Sequence, residues 1–110
     1  MSDFRFTHSS VLAPGRTVFR ARNAGRVNHE LVLVPLPEGF PPIDKQLRGS
    51  TRRRLPNLAF IPPRRPGTTS VFAVDLVAGR YAFICPIADT DGVAHFLKGM
   101  SSEFVVRAPS

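Results

Sequence analysis

Apolar and polar residues alternate with a period of two in short runs along this 110-residue chain. Successive side chains of a strand point to opposite faces, so each run predicts a strand with one buried face. The first is Asp3-Phe4-Arg5-Phe6-Thr7, with both phenylalanines on one side. After a turn at Pro14-Gly15, the run from Arg16 to Arg22 turns Thr17, Phe19 and Ala21 inward and Arg16, Arg20 and Arg22 outward. A turn signal at Asn23-Ala24-Gly25 precedes the apolar run from His29 to Val34. Ser70 to Leu76, Arg80 to Cys85 and Ser102 to Arg107 complete the set, with a turn near Ala78-Gly79. Short strands at this spacing, each with one apolar face, predict an all-β antiparallel sandwich or barrel.

The rhythm breaks between Pro35 and Pro66, where proline and arginine accumulate. Ile43 to Leu47, with Leu55, forms a weak helical pattern that predicts a short amphipathic helix lying across the sandwich. Pro56, Pro62, Pro63 and Pro66 forbid a longer one, since a proline inside a helix costs roughly 3 kcal/mol. The segment exceeds a hairpin loop and is predicted to connect the two sheets. Length predicts one domain over residues 1–110. No stretch is long and apolar enough to span a bilayer, and the residues from Met1 to Phe4 do not read as a signal peptide. A single cysteine excludes an internal disulfide.

That cysteine is the chemically informative residue. Cys85 closes the apolar run from Tyr81, and His95 and Met100 follow it; far upstream, His29 opens another apolar run. Taken singly, each has a bland reading: a buried small hydrophobe, a surface or satisfied core histidine, a core methionine. Together, two imidazoles, a thiolate and a thioether are the ligand set of a mononuclear blue copper site. Soft sulfur favours Cu(I), imidazole suits Cu(II), and a weak axial methionine tunes the balance. Alternation sends Cys85 to the same face as Tyr81 and Phe83, and a thiolate buried there is costly without a metal or cation. Four residues between His95 and Met100, Gly99 among them, allow a tight return, and Gly25 is expected to close the turn before His29. Glu30, Asp89 and Asp91 are candidates to fix the second imidazole nitrogens.

The stretches 23–29, 66–68, 79–85 and 95–100 occur in an order that resembles the cupredoxins, the blue (type 1) copper proteins of the plastocyanin/azurin type. The resemblance implies a Greek-key β-sandwich with copper at one end. Carried over residue by residue, it names His29, Cys85, His95 and Met100 as metal ligands. Nine residues separate Cys85 from His95, an extended ligand loop comparable with that in the blue domain of copper nitrite reductases. Glu30 stands where plastocyanin has an asparagine tying the two ligand loops. The resemblance also implies electron transport, an extracytoplasmic location in the periplasm or at a bacterial cell surface, and one imidazole edge, that of His95, presented to solvent. Val93, Ala94, Phe96 and Leu97 would form the apolar collar around that edge.

The formal net charge of +7 concentrates in Lys45, Arg48, Arg52, Arg53, Arg54, Arg64 and Arg65. It reads either as a solvated, solubilising loop or as a docking surface for an acidic redox partner. Nucleic acid is not expected, because the phenylalanines occupy core-facing positions and do not interleave with the basic residues. Asp89-Thr90-Asp91-Gly92 reads as a turn, since an EF-hand needs a glutamate where Met100 stands. No nucleophile–base or phosphate-loop motif is present, and His8, expected at the surface, is the one spare histidine for a second copper centre, so enzymatic activity is not expected. The expected protein is a monomeric copper electron carrier. Its alternatives are a copper storage or delivery protein without redox role and a metal-free cupredoxin-like interaction domain.

Overall fold

A computed structural model describes residues 1, 8, 11–48, 55–87 and 89–108. The run from Asp3 to Thr7 and the arginines 52–54 therefore lie outside the described residues. Among the described residues seven strands form two sheets: β1 (Val11–Leu12), β2 (Gly15–Arg22), β3 (His29–Leu36), β4 (Ala59–Arg64), β5 (Thr69–Leu76), β6 (Gly79–Ile84) and β7 (Ser101–Val106). Strands β2 and β5 pair antiparallel from Gly15↔Leu76 to Arg22↔Thr69. The other sheet has the order β1-β7-β6-β3-β4. Its β3–β4, β3–β6 and β6–β7 pairs are antiparallel, whereas β1 runs parallel to β7, a departure from the purely antiparallel expectation.

The inward positions read from alternation on β2 are the less exposed ones, with Ala21 buried and Arg16, Arg20 and Arg22 exposed. Between the sheets lies a core of Leu31, Leu33, Tyr81, Phe83, Phe104 and Val106 from the larger sheet against Ala21, Val74 and Leu76 from the smaller. Phe104 stacks on both Tyr81 and Phe83, and Phe19 meets Phe83 edge-on. His8 is not a free surface residue: its Nε2 lies 2.7 Å from Ser102 Oγ and its ring packs edge-on against Phe83 and Phe104.

Strand β3 is buried on both faces, which is why its sequence is a nearly continuous apolar run. Its outer face, Val32, Val34 and Leu36, packs with Ala82 and Ile84 under Phe40 and Ile43. Ile43 begins an α-helix, α1 (Ile43–Arg48), which covers this face as the periodicity predicted. The Ile43 N–H donates to Glu103 Oε2 at 2.8 Å, and Arg80 joins Glu103 Oε1 (2.9 Å) to the Phe40 carbonyl (2.6 Å). That network fastens the helix to β7.

The segment between β3 and β5 does link the two sheets, but it carries a strand that the sequence pattern did not show. It returns to the same sheet as β4, beside β3, and the chain crosses to the smaller sheet only on entering β5. Pro62 and Pro63 are compatible with a strand there because β4 is an edge strand and both prolines fall in the register shift between Leu31↔Ile61 and His29↔Arg64.

Candidate metal centre

His29, the first residue of β3, is fully buried. A register shift between His29↔Arg64 and Leu31↔Ile61 marks a bulge, the device by which a strand re-aims a side chain next to a site. The approach to His29 is fixed by Asn23, itself fully buried. Its Nδ2 donates to the carbonyls of Val27 and Arg64, each at 2.9 Å, and its Oδ1 accepts from the Gly25 N–H at 2.9 Å. Its backbone pairs with Gly67 and Thr68. The turn is thus closed by an asparagine side chain, and Gly25 is not among the glycines with positive φ.

Cys85 lies one residue beyond β6. The β3–β6 ladder ends at Val32↔Ile84, so the Glu30 N–H meets Cys85 Sγ at 3.4 Å instead of a ladder carbonyl. The loop that follows ties itself together. Asp89 N–H donates to the Val93 carbonyl, Gly92 N–H to the Asp89 carbonyl, and His95 N–H to the Ile87 carbonyl, each at 2.8 Å. His95 then opens a single 3₁₀ turn, His95–Lys98, ended by Gly99 at φ 113°, a left-handed conformation that favours glycine. Met100 N–H returns to the His95 carbonyl (3.1 Å), and Cys85 N–H donates to the Met100 carbonyl (3.0 Å). Both ends of the loop are therefore fixed at one point, and the Met100 side chain is fully buried.

These elements bring His29, Cys85 and His95 together, all buried, with ligand atoms within 4.8 Å of one another. The two Nδ1 atoms are 3.3 Å apart, and Cys85 Sγ lies 3.4 Å from that of His95 and 4.0 Å from that of His29. A point equidistant from the corners of this triangle lies about 2.1 Å from each, within the ~2.0–2.3 Å over which imidazole nitrogen and thiolate sulfur bind a divalent first-row ion such as zinc. Burial pushes the Cys85 thiol above its ordinary range, against the opposing pull of the Glu30 and Ile87 N–H groups. A buried sulfur met by two backbone donors and two inward nitrogens is suited to a cation, which would make it a thiolate. The donor set and its spacing fit a mononuclear soft-metal ion.

The carboxylates divide their duties. Asp89 Oδ1 lies 3.8 Å from His95 Nε2, and its Oδ2 accepts from Lys98 Nζ at 2.7 Å. Lys98 also reaches Asp91 Oδ2 at 2.7 Å, and Asp91 Oδ1 accepts from the Val93 N–H, so Asp91 serves the turn. The Lys98 ammonium, with the Thr90 N–H, keeps the Asp89 carboxyl below the ordinary carboxylate range. Glu30 acts through its backbone, while burial pushes its carboxyl up.

His95 itself departs from expectation. It is 2 % exposed, not an edge open to solvent, and it reaches the floor of a shallow depression lined by Val27, Asn28, Pro63, Ile87 and Asp89. The expected apolar collar is dispersed: Val93 is exposed, but Phe96 packs with the outer-face cluster beneath α1 and lines a cleft of about 340 Å³ there. Sequence reasoning missed Asn23, whose signal was the Asn-Ala-Gly turn, and Lys98, whose signal was its position three residues past His95.

No protein-family model matches the chain, and no curated protein is significantly similar to it. Solved structures do match. Dithionite-reduced auracyanin from the photosynthetic bacterium Roseiflexus castenholzii aligns with a TM-score of 0.60 at 19% identity, covering 92% of this chain and 86% of its own. Reduced rusticyanin aligns at 0.60 and 17% identity, covering 88% of this chain and 61% of its own. Rusticyanin from Thiobacillus ferrooxidans aligns at 0.53 and 16% identity, covering 88% and 59%. This chain thus spans about three fifths of the rusticyanin chains. Auracyanin and rusticyanin are cupredoxins, and the chain has their all-β, two-sheet fold.

Proposed function

We propose, from the premise of this cupredoxin fold, that the chain is a mononuclear copper protein that carries single electrons. His29, Cys85 and His95 would hold the ion, with Met100 as the weak fourth donor. When bound, copper supplies a one-electron couple whose potential the thiolate and thioether tune. The protein's part is to keep the donors where they are in both states. The bulge at His29, the Glu30 N–H on the sulfur and the Cys85–Met100 backbone bond all support that role.

The observation that carries the reading is the buried triangle of two Nδ1 atoms and one Sγ with edges of 3.3, 3.4 and 4.0 Å. Storage or delivery requires donors that a recipient can reach; here all three are buried and anchored through backbone hydrogen bonds, which favours electron transfer. Among the described residues no helix is long and apolar enough to cross a membrane. We assign the chain as one extracytoplasmic, monomeric, non-enzymatic domain over residues 1–110. The exit for electrons is the depression over His95. Arg22, Arg26, Arg64 and Arg65 are exposed on the segments flanking His29 and Asn23, so an acidic redox protein is the fitting partner.

Titration of the metal-free protein with Cu(II) tests this. One equivalent is expected to give an intense thiolate-to-copper absorption band and a reversible one-electron couple. Cys85→Ser is expected to abolish the band, because a serine oxygen supplies no thiolate donor. A colourless Cu(II) form with tight Cu(I) binding would replace this reading with delivery, and no stoichiometric binding would leave a metal-free interaction domain.

A further inference from the structure

The loop between Cys85 and His95 contains a device that ligand identity alone does not require. Asp89 is fastened at both oxygens: Oδ1 accepts from the Thr90 N–H at 2.9 Å, and Oδ2 from Lys98 Nζ at 2.7 Å. Lys98 is fastened in turn by Asp91 Oδ2 at 2.7 Å. Oδ1 also faces His95 Nε2 at 3.8 Å, a charge contact beyond hydrogen-bond distance. On the opposite edge of the same ring, Nδ1 faces Cys85 Sγ at 3.4 Å and His29 Nδ1 at 3.3 Å. One ring nitrogen therefore looks at an anion and the other at the candidate metal position.

A buried imidazole has two neutral tautomers, and only the one with its proton on Nε2 leaves Nδ1 bare for a metal. A carboxylate facing Nε2 favours that tautomer and strengthens the donor character of Nδ1. We propose that Asp89, braced by Lys98, is a positioning residue that holds His95 in the Nε2–H tautomer with Nδ1 turned to the metal. This rests on the copper reading above. His95 is 2 % exposed, so little water competes with Asp89 for the ring. A stronger imidazole donor stabilises Cu(II) more than Cu(I), so the carboxylate lowers the potential. Outer partners of this kind are worth roughly 10–100-fold in metal affinity. Carried by Cu(II) alone, that factor corresponds to about 60–120 mV for a one-electron couple.

Two variants separate the effects. Asp89→Asn keeps an acceptor oxygen and loses the charge; Asp89→Ala loses both. Nitrogen-15 spectra of the His95 ring in metal-free protein read the tautomer without copper. Wild type is expected to hold the Nε2–H form, and both variants to give a mixture, because at 3.8 Å the contact acts through the carboxylate charge. In copper-loaded protein both variants are expected to bind Cu(II) at least tenfold more weakly and to show a higher potential, while Cu(I) affinity changes less. Wild-type tautomer, affinity and potential in both variants would overturn the proposal and leave Asp89 as a loop tether. If the alanine variant does not fold, the asparagine variant decides through affinity and potential. A wild type that binds no copper refutes the copper reading, and the metal-free tautomer still decides whether Asp89 orients His95.

Discussion

Asn23 is the side chain on which the approach to the metal end most depends, and Asn23→Ala measures that dependence. The substitution leaves the backbone bonds to Gly67 and Thr68 and removes three side-chain bonds, to Val27, Arg64 and Gly25, each 2.9 Å. Each such bond contributes about 1 kcal/mol net, and a group left unsatisfied away from water costs about 1–3 kcal/mol. Val27 and Gly25 are half-buried and Arg64 is exposed, so water replaces part of the loss. We expect a destabilisation of about 2–4 kcal/mol, a large share of the ~5–15 kcal/mol that holds an ordinary domain together. Asn23→Asp is the sharper probe. It keeps the acceptor facing the Gly25 N–H and turns a carboxylate oxygen toward two carbonyls, so it is expected to cost at least as much despite its near-identical shape. Urea denaturation of metal-free protein, with the slope against denaturant unchanged, reads both values. A loss below about 1 kcal/mol in both variants would refute the argument that this side chain fixes the loop.

Met100→Leu is expected to leave copper bound and raise its potential, because losing a weak sulfur donor disfavours Cu(II); an unchanged potential in voltammetry would make Met100 a packing residue only. Copper binding must displace the proton from a thiol that burial holds above its ordinary range. Apparent affinity should therefore rise about tenfold per pH unit until that range is reached, and a flat profile in competition titrations would contradict thiolate ligation. In metal-free protein the same raised pKa has the opposite sign for folding. Its contribution is fully present at neutral pH and is lost as pH climbs through and beyond the ordinary thiol range, which denaturation midpoints above pH 9 would reveal.

Much of the fold was legible because alternation and burial coincide. On β2, Thr17, Phe19 and Ala21 are the shielded positions, alternating with exposed Arg16, Val18, Arg20 and Arg22. What alternation hides is pairing. β1 and β7 lie parallel although most of the chain separates them, and no local pattern encodes that register. β4 was obscured by Pro62 and Pro63, which read as breakers until the strand is seen at an edge with both prolines in its register shift against β3. At the site, residue type and order pointed to His29, Cys85, His95 and Met100; the fold brings the first three side chains into one buried cluster, and Met100 is buried. Sequence reasoning left three carboxylates open and could not choose among them, because the choice depends on how the 86–94 loop folds back. Asp89 faces His95, Asp91 braces the turn through Lys98, and Glu30 contributes its N–H. The solvent-facing edge expected for His95 is not found: the ring is buried, at a depression it shares with Asn28, Pro63, Ile87 and Asp89, and Phe96 packs with the cluster under α1.

The central claim is that one buried set of donors holds copper in both oxidation states. X-ray absorption at the copper edge, recorded on the Cu(II) and Cu(I) forms of the loaded protein, tests it most directly. The account predicts one sulfur and two imidazole nitrogens at bonding distance in both spectra, from Cys85, His29 and His95. Absence of the sulfur, or loss of an imidazole on reduction, would contradict it.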